Sequence, residues 1–99
     1  MAKLLLQSRR VGEAIMGFRA SVEADPQFGG GYLYLAKALL DAGDLRGAQD
    51  AARQALGLKL DSKLAPLGHY VLADVYARQG REREAERERT TARRLETGG

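Results

Sequence analysis

The stretch GGGYLYLAKALLDAGDLRGAQDAARQALGLKL, Gly29 to Leu60, decides the fold. Tyr32, Leu35, Ala36 and Leu39 recur at the three-and-four spacing of one helix face. Gly43-Asp44 interrupts that spacing, and Ala48, Ala51, Ala52, Ala55 and Leu56 open a second face. The stretch therefore reads as two helices with a tight break. The same small residues return on both sides. Ala14 and Ser21 precede Ala48 and Ala55 by 34 residues, and Gly80, Ala85 and Ala92 follow Gly43, Ala48 and Ala55 by 37. A paired-helix unit repeated at such an interval predicts a helical solenoid, because one pair cannot bury its apolar face alone.

Working outward, Ala2 to Ser8 reads as the end of a helix with its first half missing, Arg9-Arg10 as a break, and Val11 to Ala24 as the partner helix. Ala14, Ile15, Phe18, Ser21 and Val22 form its stripe, and Asp25-Pro26 stops it. Three successive glycines, Gly29 to Gly31, predict a frayed start for the next helix. The central pair is expected over Gly31–Ala42 and Leu45–Leu58, with Gly43 at positive φ and Asp44 as N-cap. The third unit's first helix is expected to start early, capped by Asp61 or Ser62, to end at Gln79 and to be the longest. Its buried side is His69, Leu72, Ala73 and Tyr76. The last helix, about Arg81 to Leu95, keeps Ala85 and Ala92 in an otherwise charged segment. Eleven of the seventeen residues from Arg81 to Thr97 are Arg or Glu, so a narrow alanine seam is all it has for packing. Arg83 and Glu86, Glu84 and Arg87, and Glu86 and Arg89 stand at helical contact spacing, which reads as a solvated, self-paired face.

Ninety-nine residues make one domain with a thin margin of stability. The apolar supply is Ala and Leu with six aromatics and no Trp, which suits closely packed helices. Cysteine is absent, so no disulfide framework, thiolate metal site or thiol nucleophile is expected. The net charge of +3 comes from sixteen bases intermixed with thirteen acids, a patchwork that argues against nucleic-acid binding. Leu4-Leu5-Leu6 is far short of a signal-peptide core or a membrane span, and a soluble cytoplasmic chain is the default expectation.

These residues resemble the tetratricopeptide repeat. In the central unit the resemblance is carried by Tyr32, Leu35-Ala36, Leu39, Gly43-Asp44, Ala48, Ala55 and Leu58-Lys59-Leu60-Asp61. In the first it is carried by Ala14, Phe18, Ser21 and Asp25-Pro26, and in the third by Leu72-Ala73, Tyr76, Gly80, Ala85 and Ala92. Leu60 stands where the family usually has proline, and Arg89 where it has a large apolar side chain. The resemblance implies an all-α, right-handed α-solenoid of about 2.5 repeats: residues 1–28 as a truncated first repeat, 29–61 as the second, and 62–97 as the third with a charged capping helix. It also implies protein–protein binding. Some proteins of this kind clamp a C-terminal carboxylate with Lys and Asn, which this chain, having no Asn, is not expected to do.

On each unit's first helix the face opposite the buried stripe should line the hollow of the superhelix. Helical geometry assigns Gly30, Leu33, Tyr34, Lys37, Leu40 and Asp41 to that wall from the central unit, Leu67, Tyr70, Asp74, Ala77 and Arg78 from the third, and Lys3, Leu6 and Gln7 from the first. Exposed leucines and tyrosines with Lys37 and Arg78 between them would suit a peptide or helix of a partner protein. The alternative is self-association. The incomplete first unit leaves Leu4, Leu5, Ile15 and Phe18 without cover, and a homodimer through that face, or a neighbouring repeat of a longer array, would supply it. No catalytic, cofactor or metal site is expected. His69 is the only histidine, Phe28-Gly29-Gly30-Gly31 lacks the Lys-Ser/Thr of a phosphate loop, and Ser8, Ser21 and Ser62 have no base beside them.

Overall fold

The structure, a computed structural model, describes residues 2–98, with side chains from residue 9 onward. The described chain is all-helical: α1 (Ala2–Ala24), α2 (Gly29–Asp41), α3 (Leu45–Gly57), α4 (Ala65–Arg78) and α5 (Glu82–Thr97). Each helix packs on the next in sequence, and α2 also touches α4. The end helices α1 and α5 each have a single neighbour. The described chain extends 44 × 32 × 20 Å.

The breaks follow from residue chemistry. Pro26 ends α1 at Ala24, and the Asp25 side chain and carbonyl accept the backbone N–H groups of Gln27 and Phe28 at 3.3 and 3.1 Å. Gly43 and Gly80, at φ 85° and 78°, close α2 and α4 in the left-handed conformation that a side chain would oppose. Asp44 caps α3 by accepting the Gly47 N–H at 2.9 Å. These features match the sequence reading.

The break expected at Arg9-Arg10 is absent, and α1 runs unbroken for 23 residues. Nothing from Ser8 to Val11 interrupts a helix: neither Gly nor Pro is present, and Arg is among the better helix formers. The first unit is thus one long helix, and α1, not α4, is the longest. Gly29 to Gly31 are buried inside α2 and do not fray. A Cβ at Gly29 would lie 2.8 Å from Leu60 Cδ2, and one at Gly31 would lie 3.2 Å from Val22 Cγ1, so the glycines let α1 and the segment after α3 close on the start of α2. α4 starts at Ala65 and not at Asp61 or Ser62. Asp61 instead holds a turn, its carbonyl accepting the N–H groups of Leu64 and Ala65 at 2.8 and 3.0 Å and its side chain that of Lys63 at 3.1 Å.

The core lies where α2, α3 and α4 meet. Ala36, Ala48, Ala52 and Ala55 are fully buried, as side chains at close helix crossings must be, with Leu35, Leu39, Val71, Leu72 and Val75 around them. Tyr76 is 5% exposed, and its hydroxyl accepts from Arg53 Nη2 at 2.7 Å while the Arg81 guanidinium lies 5.0 Å from its ring centre. α5 attaches to α4 through Ala85 and Ala92, both fully buried, and through His69 Nδ1, 2.6 Å from Glu88 Oε2.

Leu33 and Leu40 are not on an open wall. They are 0% and 6% exposed, inside the core, and Leu67 is half-buried against it. The reason is that Leu33 and Leu40 stand within about 60° of Ala36 at about 100° per residue, so they flank the buried stripe and are covered with it, while α2 packs on α1, α3 and α4.

Candidate groove between α1 and α2

The exposed side of α2 carries Tyr34, Lys37 and Asp41, at spacings of three and four residues that keep them on one face. Beside them runs α1, antiparallel, since Val22 near its end approaches Gly31 at the start of α2. Between the two helices lies an open groove of about 300 Å³, lined on α1 by Arg10, Val11, Ala14 and Phe18 and on α2 by Tyr34, Lys37, Ala38 and Asp41. At one end the Phe18 and Tyr34 rings stack, with centroids 5.9 Å apart and planes 24° from parallel. Tyr34 remains 41% exposed. The floor is therefore apolar and the rim carries two cations and one carboxylate.

The groove exists because α1 presents a broader apolar arc than one neighbour can cover. Ile15, Phe18 and Val22 pack against the core, and Val11, Ala14 and Phe18, on the same apolar arc, also line the groove. Of the residues expected on a partner-binding wall, Tyr34, Lys37 and Asp41 are brought together here, joined by Phe18 from the expected self-association face. Ile15 is half-buried in the core, and the side chains of Lys3, Leu4, Leu5, Leu6 and Gln7 lie outside the described residues. Arg10, Val11, Ala14 and Ala38 complete the lining. Val11, Ala14 and Phe18 recur at i, i+3 and i+7, the sequence signal of one apolar strip on α1.

The α4 residues expected on the same wall do not join it. Arg78 Nη2 lies 3.6 Å from Asp74 Oδ2, and Arg78 Nη1 donates to the Leu40 carbonyl at 3.3 Å, tying α4 to the end of α2. Tyr70 donates its hydroxyl proton to Glu96 of α5, a hydrogen bond that holds its phenol above the ordinary tyrosine range. Tyr70 and Arg78 thus serve contacts between helices, and Asp74 pairs within α4.

Along α5 a shallower depression is lined by Arg83, Glu86, Arg87, Thr90, Thr91 and Arg94, all on that single helix. Its charges are partly self-neutralised, since Glu86 meets Arg89 at 3.1 Å and Arg93 at 3.7 Å, and Glu84 meets Arg81 at 3.8 Å. Of the three pairings that the sequence spacing suggests, Glu86 with Arg89 forms. Among the described residues no cluster of His, Cys, Asp and Glu could hold a metal ion, and no helix is long and apolar enough to cross a membrane. No protein-family model, curated protein or solved structure matches the chain.

Proposed function

We propose that this chain is a non-catalytic protein-interaction module, built of paired helices stacked as in the tetratricopeptide repeat, that receives a segment of a partner protein in the groove between α1 and α2. The stacking reading is supported by helices that contact their sequence neighbours, by the additional α2–α4 contact, and by fully buried alanines at the crossings. The observation that carries the function is the groove itself: an apolar floor beside an exposed, stacked tyrosine, rimmed by exposed charges. Exposed aromatic anchors within such a rim are what protein-binding surfaces use.

Self-association is the second reading, favoured by one observation. α1 has 23 residues and α2 has 13, so at 1.5 Å per residue α1 is longer by roughly 15 Å, and no other helix touches it. A second copy could cover that overhang.

Affinity capture from cell extract, followed by mass spectrometry, tests the main reading with a paired variant. Tyr34→Ala with Lys37→Ala removes two exposed groove residues at little cost to the core. The expected result is loss of specifically captured proteins with unchanged circular dichroism. Identical capture by the variant would rule the groove out.

A further inference from the structure

Resting on that reading of the groove, we infer that its occupant is an amphipathic helix with acidic residues flanking its apolar stripe, and not a second copy of this chain. Shape argues for a helix. Two antiparallel helices side by side leave a slot whose natural filler is a third, packed at the usual interaxial distance of about 8–10 Å. From Arg10 to Phe18 the slot runs roughly 12 Å at 1.5 Å per residue, about two helical turns. That length accepts anchors at i, i+3 or i+4, and i+7. The described residues contain no strand, so no sheet edge is offered to an extended peptide.

Charge selects the partner. Arg10 and Lys37 are exposed on the groove's two walls, and among the described residues neither is in an ion pair. Asp41 is the one carboxylate in the lining. The groove is therefore cationic along an apolar floor, a surface that favours Glu or Asp beside the incoming leucine-like anchors. A second copy brings the wrong sign. The first twelve residues carry Lys3, Arg9 and Arg10 and no acid, and the chain as a whole is at +3. Rim charges are screened by salt, so they discriminate between partners while the apolar floor supplies most of the attraction.

The test uses the full chain and two synthetic peptides with the same leucine stripe at i, i+3 and i+7, one flanked by Glu and the other by Lys, followed by fluorescence anisotropy at low salt. The Glu peptide is expected to bind roughly tenfold more tightly than the Lys peptide, and Arg10→Glu with Lys37→Glu is expected to invert the order. Added salt should narrow the gap. Equal binding of both peptides, binding of neither, or no inversion in the double variant overturns the inference. So does a wild-type dimer in sedimentation that Val11→Arg splits. Failure of the groove reading is distinguishable: if the Glu peptide binds equally well to wild type, to Val11→Arg and to Tyr34→Ala, it binds elsewhere.

Discussion

The two ends of this molecule are built from the same part, a helix with one neighbour, and finish it in opposite ways. α5 buries an alanine seam against α4 and turns Arg and Glu to water, with Glu86 paired to Arg89 and Arg93 along its own surface. α1 half-buries Ile15 and Val22 against the core and leaves Val11, Ala14 and Phe18 along an open groove. The outer face of α5 is charged, whereas that of α1 still presents apolar surface. A charged helix face is satisfied by water, whereas an apolar one is free to accept another element.

Three small-residue positions break or sharpen the contrast most directly. Ala85→Leu in α5 and Ala48→Leu in the centre replace fully buried methyls where helices cross, and each should cost about 1–3 kcal/mol, read as a lowered denaturation midpoint. Ala14→Leu in α1 points into the groove and should change stability by less than about 0.5 kcal/mol. A midpoint lowered as far by Ala14→Leu as by Ala85→Leu would mean that the groove face of α1 is packed as closely as the seam of α5.

Backbone substitutions give the next largest difference. Gly80, at φ 78°, forms the joint between α4 and α5, and Gly80→Ala should cost about 1–2 kcal/mol because a Cβ disfavours that conformation. Gly17 lies in the exposed middle of α1, where a Cβ would have no neighbour within 4 Å, so Gly17→Ala should stabilise the helix by up to about 1 kcal/mol. Thermal melts of the two variants should move in opposite directions.

The smallest effect concerns pH. Hydrogen bonding to Glu96 raises the Tyr70 pKa above its ordinary value, which means the folded chain holds that proton more tightly than the unfolded one. The contribution is complete below the ordinary tyrosine pKa and is lost as pH rises through the raised value. Ultraviolet absorbance titration should therefore show a tyrosine phase above the ordinary range, and Tyr70→Phe should remove it.

Much of the architecture was legible because its causes are local. Pro26, the positive-φ glycines Gly43 and Gly80, and the Asp44 cap each act within a few residues, and the alanine periodicity marked the crossings that are fully buried. The site was legible only in part. Tyr34, Lys37 and Asp41 were legible from their place on the α2 face, but Leu33 and Leu40, assigned to the same wall, stand within about 60° of Ala36 and are buried with it. Helical periodicity gives the direction of a side chain around its own axis and says nothing of how many neighbours that helix has.

The order of the helices, their caps and the small residues at their crossings are thus determined by the sequence itself, through steric and hydrogen-bonding preferences that act over one or two turns. Which apolar faces remain open was decided by tertiary structure. α1 continues through Arg9-Arg10 and keeps one neighbour, whereas α2 gains three. Burial depends on the number and placement of packed helices, a property of distant contacts that no short stretch of residues contains.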